Sequence, residues 1–104
     1  MELVEKLYQV TNAFPREEIY GLKAQIRRAA VSVPSNIAEG AAGRSPLLSR
    51  NYLLVAIGSL NEIATQLEIA WRIGYLNAAK FAAVEALVDE CLAITYGLLR
   101  SIRS

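Results

Sequence analysis

The side chains with chemistry to offer gather in one stretch. Gln25, Arg28, Ser32, Asn36 and Glu39 recur every three or four residues. On a helix that spacing places them along one ridge. Ser59, Glu62 and Gln66 repeat the spacing further along the chain. Five cations, Lys23, Arg27, Arg28, Arg44 and Arg50, lie in the same half of the sequence. Two kinds of chemistry suit this inventory. Gln25, Ser32, Asn36, Glu39, Ser59, Glu62 and Gln66 can form a polar network that fixes how two helices pair. Lys23, Arg27, Arg28, Arg44 and Arg50 can meet the phosphates of a nucleic acid.

Catalysis finds little to work with. The chain has no histidine and a single cysteine, Cys91. Metal sites need clustered Cys, His or carboxylate ligands, and Cys91 stands alone on an apolar face as a small core residue. Glu39 and Glu62 have arginines available as partners, which would keep them ionised and ordinary. No glycine-rich phosphate loop follows a strand. No catalytic residue, metal site or cofactor is expected, and the chain does not read as an enzyme.

The elements that position these residues are helical. The chain is 104 residues, 54% hydrophobic, with a mean hydropathy of +0.28. One domain, residues 1–104, is expected. A small domain leaves much of its surface exposed, so this apolar excess calls for cover, and a subunit interface supplies it. The longest uncharged run, Asn51 to Asn61, is short of the ~20 residues that span a bilayer. With no signal peptide visible behind Glu2 and Glu5, and one cysteine, a cytoplasmic location without a membrane partner is expected. The net charge of +1 gives no general pull on nucleic acid, although the basic surplus is concentrated in the first half.

Helix 1 is predicted over residues 2–13, with Leu3, Val4, Leu7, Tyr8, Val10 and Thr11 on one face. Helix 2 is predicted over the stretch from Phe14 to Gly40, opened by Phe14-Pro15, its first turn marked by the proline, Glu17 and Glu18. Ile19, Leu22, Ile26, Ala29, Ala30, Val33 and Ile37 form its apolar stripe. Gly21 costs about 1 kcal/mol inside a helix relative to alanine, so it implies either a close neighbour or a kink. Pro34 frees the Ala30 carbonyl. Because the stripe stays in phase through Ile37, a kinked helix is expected rather than two helices. Gly40 and Gly43 end it. Ser45 and Pro46 open helix 3, which runs to Ile73 and carries the heptad seam Leu53, Leu60, Leu67 with Ala56, Ile63 and Ala70. Gly74 stops it and Asn77 caps helix 4, predicted over 78–102. Phe81, Val88, Thr95 and Ile102 form one seam row there, and Val84, Cys91 and Leu98 the other. Arg100 and Arg103 suit its C-terminal dipole.

The fold class is therefore all-α, an antiparallel up-down-up-down four-helix bundle with a short first helix and a proline-kinked second helix. At 1.5 Å per residue helix 1 reaches ~18 Å and the others ~38 Å, which leaves part of a groove uncovered. If helices 2 and 3 turn about Arg44, positions summing to about 90 face each other. Glu39 then faces Arg50, Ser32 faces Gly58, and Arg28 faces Glu62. In that register the ridge of helix 2 meets Ser59, Glu62 and Gln66, and a structural network is its preferred reading.

The run from Phe14 to Gly40, FPREEIYGLKAQIRRAAVSVPSNIAEG, followed by GRS and later by AIGSLNEIATQLEIAWRIGYL, resembles a family of bacterial four-helix bundles. Its members are encoded in intervening sequences of large-subunit ribosomal RNA genes and are also counted among ribosomal proteins. The family is similar to the accessory variability protein of diversity-generating retroelements. The residues that carry the likeness include Phe14-Pro15, Glu18, Tyr20-Gly21-Leu22, Gln25, Arg27-Arg28-Ala29-Ala30, Ser32, Pro34, Asn36 to Gly40, Gly58-Ser59, Glu62 and Gln66. It extends through Leu76; helix 4 matches in general character only. The resemblance implies ring-like homopentamers, with no assigned biochemical function for most members. It also implies nucleic-acid and reverse-transcriptase binding through a basic surface in the retroelement relative. Family members carry more chain before helix 1, often with a tryptophan and basic residues, whereas this chain starts inside that helix and so has less positive charge to offer.

Two functions from different classes follow. In the first, a homo-oligomer, a pentamer by resemblance, binds structured RNA or DNA, with a small basic patch repeated around the ring. Arg28 and Arg50 are expected to be consumed by Glu62 and Glu39, which leaves Lys23, Arg27 and Arg44 more open. The absence of an aromatic–basic stripe counts against single-strand stacking. In the second, a self-assembling scaffold docks a protein partner without nucleic acid, near Tyr8, Trp71, Tyr75 and Tyr96. Packing within the core or between subunits is the preferred reading of those aromatics.

Overall fold

A computed structural model describes residues 1–102; Arg103, expected at the end of the last helix, lies outside them. Four helices follow one another: α1 (Glu2–Thr11), α2 (Leu22–Gly40), α3 (Pro46–Arg72) and α4 (Ala78–Ser101). No strand occurs among the described residues. α2 and α3 share the largest interface, α3 packs on α4, and α1 lies against both α2 and α4. Each helix thus touches its chain neighbours and the first closes on the last, which is the up-down-up-down bundle. The molecule measures 45 × 24 × 18 Å.

The heptad rows become the core. Leu53, Ala56, Leu60, Ile63, Leu67 and Ala70 of α3 are all buried, and Leu60, Ile63, Leu67 and Ala70 share one cluster with Ile26, Ala29, Ala30 and Val33 of α2. α1 adds Leu3, Leu7 and Val10, and α4 adds Val84 and Val88. α3 is long and apolar enough to cross a membrane by length and composition, yet 44% of its most apolar window is buried inside the bundle. The charge-free-run criterion missed it because Arg50 and Glu62 bound the run. Its apolar seam serves the core.

The start of helix 2 differs from the expectation. Pro15 opens a separate 3-10 turn, Arg16–Glu18, and α2 begins only at Leu22. The Glu18 carboxylate turns back and accepts the Leu22 N–H at 2.9 Å, so it satisfies a donor that the first turn of α2 leaves unpaired. Gly21 is therefore a boundary residue, neither an interior kink nor a contact with a neighbouring helix. Ile19, placed on the apolar stripe by periodicity, is exposed because it precedes the helix.

α2 then runs without interruption through Pro34. Ser35 Oγ donates to Val31 O at 2.9 Å and Asn36 Nδ2 to Ser32 O at 2.8 Å, so the side chains around the proline bond the carbonyls that follow Ala30. The chain reverses through two glycines with positive φ, Gly43 at 74° and Gly74 at 90°, a region that costs glycine nothing. Gly40 has a different task. A Cβ there would lie 2.8 Å from both Cγ and Cδ2 of Leu53, so it lets α2 and α3 close on each other. Ser45 and Asn77 cap α3 and α4 by accepting the N–H of Leu48 and Lys80.

Candidate functional site

The polar ridge lies along the outer side of the α2–α3 contact. The Ser32 and Ser59 hydroxyls are 2.9 Å apart, and Asn36 Nδ2 donates to Ser32 Oγ at 3.0 Å. Two turns away on α2, Gln66 Nε2 donates to Glu62 Oε1 at 3.0 Å and reaches Gln25 Oε1 at 3.4 Å. Both cross-helix pairs join positions summing to 91, one residue from the expected register. The network is thus two clusters: Ser32, Asn36 and Ser59 in one, Gln25, Glu62 and Gln66 in the other. Glu39 belongs to neither. Gln66 is 6% exposed, and its Oε1 is buried without a hydrogen-bond partner. The amide spends its donors on two acceptors that the ridge supplies, so its own acceptor is left over.

The expected ion pairs across the helices do not form. Among the described residues only Glu39–Arg44 and Glu68–Arg72 approach as ion pairs. Glu39 takes Arg44, five residues on in the turn, instead of Arg50. Glu62 accepts from Gln66, and Arg28 stays exposed without it. Gly58 meets nothing within 4 Å where a Cβ would stand, so it makes no close contact with Ser32.

The cations separate by what holds them. Arg27 is committed to α1: Nε donates to Thr11 Oγ1 at 3.0 Å, and Nη2 to Tyr8 O at 3.1 Å and Asn12 Oδ1 at 2.9 Å. Its guanidinium also lies 4.4 Å from the centre of the Tyr8 ring. α1 has no basic residue in its last turn; Arg27 brings one from α2 to the negative end of that helix. Arg44 pairs with Glu39 and lies 5.5 Å from the Tyr52 ring. Lys23, Arg28 and Arg50 have no ion-pair partner among the described residues. They do not form one patch: Arg28 sits twelve residues before Gly40 on α2, roughly 18 Å along the axis, and Arg50 lies beyond the turn.

A clamp unforeseen from the sequence closes the opposite end. Tyr75 Oη donates to Glu18 Oε2 at 2.8 Å while Glu18 Oε1 caps α2, and the Phe14 ring packs on Tyr75 at 5.4 Å. The Leu22 N–H, then the Tyr75 hydroxyl, hold the Glu18 carboxyl below its ordinary pKa. The same carboxylate, then desolvation, pushes Tyr75 up. Burial, then the charges of Glu90 and Glu2, raises the Cys91 thiol, so it stays protonated and a poor nucleophile. No group of His, Cys, Asp and Glu with metal-binding geometry occurs among the described residues.

Residues 1–97 match the family described as 23S rRNA-intervening sequence protein. The chain belongs to this family. The bundle is also similar to a crystal structure from Bacteroides thetaiotaomicron, described as a protein with unknown function from the S23 ribosomal protein family. The TM-score is 0.87 at 19% identity, over 96% of this chain and 94% of that one. At that identity the likeness speaks for the fold. Among curated proteins nothing matches the chain.

Of the aromatics considered for docking, Tyr75 is half-buried in the clamp and Tyr8 lies under Arg27. Tyr96 and Trp71 are exposed. Trp71 stacks on Phe81 with ring centres 4.8 Å apart and planes 1° from parallel. Sequence reasoning missed this pair and the Glu18–Tyr75 bond for one reason. Each joins residues on different elements, and a single-helix period carries no signal for that.

Proposed function

We propose that this protein is a non-enzymatic, cytoplasmic homo-oligomer, pentameric by family resemblance, that serves as an accessory protein binding structured RNA. The observation that carries self-assembly is the amount of apolar surface outside the core. Fourteen large hydrophobic side chains are exposed among the described residues, more than scattered surface positions explain. On α3 alone Leu47 and Leu54 form one outward row, and Leu48 and Val55 the next, each pair seven residues apart. A closed ring would cover such rows and repeat every surface cation around its axis. Among the described residues Lys23, Arg28 and Arg50 lack acidic partners, and weak contacts from several copies add through effective concentration. The family's tie to ribosomal RNA genes makes RNA the favoured ligand.

A second reading has its own support. Arg27 and Arg44 are engaged within the chain, which removes two of five candidate cations and favours a self-assembling scaffold that docks a protein without nucleic acid. Light scattering at low and high salt, with and without a short RNA hairpin, separates the readings. The expected result is an assembly well above the 11.4 kDa monomer that gains mass with the hairpin at low salt and loses it at high salt. A monomer under every condition overturns self-assembly. An assembly indifferent to the hairpin overturns RNA binding and leaves the scaffold.

A further inference from the structure

Trp71 closes α3 one residue before its end, and Phe81 lies in the first turn of α4. The turn between them is tightly bonded: Gly74 N–H donates to Trp71 O at 3.1 Å and Tyr75 N–H to Ala70 O at 2.8 Å. One face of the indole is backed by Phe81 in near-parallel contact, yet Trp71 remains 36% exposed. The guanidinium of Arg72 lies 5.4 Å from the indole centre. Among the described residues only Glu68 pairs with it, at 3.7 Å, and both side chains are more than half exposed. An ion pair of that kind holds weakly. Lys80, exposed, precedes Phe81 as Arg72 follows Trp71, so each ring of the stacked pair has a cation next to it in the chain.

We infer that Trp71, backed by Phe81 and flanked by Arg72 and Lys80, is a stacking site for an unpaired nucleobase. The indole is a fixed platform, and Arg72 is a movable second jaw that closes on the other face of the base. Aromatic rings and guanidinium planes are the surfaces on which splayed-out bases of single-stranded RNA stack. Lys80 is placed for the adjoining phosphate. This deepens the RNA reading and rests on it. It also narrows the ligand, because a base inside a duplex cannot enter, whereas a hairpin loop or a single strand presents one. Glu68 and Glu85 lie on the same helix ends and limit the ionic part. Lys80, the one phosphate contact of the site, contributes a salt slope of about −0.7, and stacking carries the rest.

Trp71 is the only tryptophan, so its fluorescence reports the site directly. Titration of the full chain with a labelled hairpin bearing an unpaired loop, and with a blunt duplex of the same stem, reads both the label's anisotropy and the indole emission. The expected result is binding of the hairpin with indole quenching, and a blunt duplex that leaves the emission unchanged. Trp71→Leu keeps apolar bulk but loses the platform, and its hairpin affinity should fall about 5- to 150-fold, the range of one base stack. Arg72→Leu should lose part of the same affinity, and Arg72→Lys should not restore it, since an ammonium has no plane to stack. Light scattering on Trp71→Leu should show an unchanged assembly mass. Hairpin binding without quenching, with Trp71→Leu as tight as the native chain, overturns the site and leaves RNA binding standing. Loss of assembly mass in Trp71→Leu overturns it in favour of a subunit contact. No anisotropy change with any RNA overturns the RNA reading and this site together.

Discussion

Gly40 offers the sharpest test of how α2 and α3 pack. It is the last residue of α2, with no positive φ, so alanine fits its backbone and gains up to about 1 kcal/mol of helix propensity. The added Cβ, however, would stand 2.8 Å from Leu53 Cγ and Cδ2 and 3.2 Å from Ser49 O. Leu53 is 2% exposed, so it has little free space to move into. Overpacking of that kind costs about 1–3 kcal/mol, and with the full propensity gain the net expectation for Gly40→Ala is a loss of up to about 2 kcal/mol. For a domain of this length that lowers Tm by up to about 10 °C. A double-mutant cycle with Leu53→Ala isolates the cause. Leu53→Ala alone costs about 2–5 kcal/mol, but it removes both side-chain contacts and leaves only the Ser49 carbonyl. In that background Gly40→Ala should cost little or become stabilising, a coupling of about 1–2 kcal/mol. Urea denaturation of the four proteins at one concentration, fixed because assembly shifts apparent stability, measures it. A stabilising Gly40→Ala in the native background, or an equal effect in both backgrounds, would refute the close approach as the reason for the glycine.

Arg27→Lys should lose about 1–2 kcal/mol of stability, the scale of hydrogen bonds made by a charged group, with the amides of α1 losing protection in hydrogen exchange before those of α3. Equal protection in α1 would show that Arg27 does not anchor it. The Glu18–Tyr75 clamp predicts two pH limbs. The lowered Glu18 pKa stabilises above the unfolded carboxyl value and is lost as pH falls through the folded value; the raised Tyr75 pKa stabilises below the unfolded phenol value and is lost as pH rises through the folded one. Tyr75→Phe should abolish the alkaline limb and weaken the acid one in thermal melts across pH; an unchanged profile would sink the clamp. Gly58, with open space around it, should accept alanine with a gain of about 0.5–1 kcal/mol, and a loss of assembly mass in that variant would instead place α3's outer face at a subunit contact. Cys91, raised by burial, should react with iodoacetamide more slowly than a free thiol at neutral pH, and reaction at the free-thiol rate would contradict its placement.

The bundle was legible because burial in a helix is a matter of period. Leu53, Leu60 and Leu67 announce a buried row without any knowledge of what faces it, and caps such as Ser45 and Asn77 act within three residues of themselves. The break at Gly21 was not legible in the same way. Pro15, Glu17 and Glu18 suit the first turn of a long helix, and they suit a 3-10 turn equally well. What decides between them is the Glu18 side chain, held by Leu22 and by Tyr75 fifty-seven residues away. Gly58 shows the same limit. Register alone placed it against Ser32, but the partner is Ser59 one position on, and helix rotation turns Gly58 to solvent.

The four arginines carry this furthest, because their expected and observed roles are inverted. Arg28 and Arg50 were assigned to carboxylates across the helix pair and have none. Arg27 and Arg44 were left open and are engaged. Helix ends explain the inversion. A long side chain that reaches a helix end or a turn finds acceptors left unpaired there. Arg27 finds Tyr8 O, Thr11 Oγ1 and Asn12 Oδ1 at the end of α1, and Arg44 finds Glu39 across the turn. Arg28, midway along α2, has no helix end within reach, and Glu62, its intended partner, is held by Gln66. The same competition that leaves Arg28 unpaired therefore leaves it on the outer α2–α3 face, beside the Gln25, Glu62 and Gln66 cluster. A substitution that frees Glu62, such as Gln66→Leu, should draw Arg28 into the ion pair first expected and reduce its availability to phosphate. Hairpin affinity should then fall at low salt although no cation has been removed, and an unchanged affinity would show that Arg28 never faced the RNA.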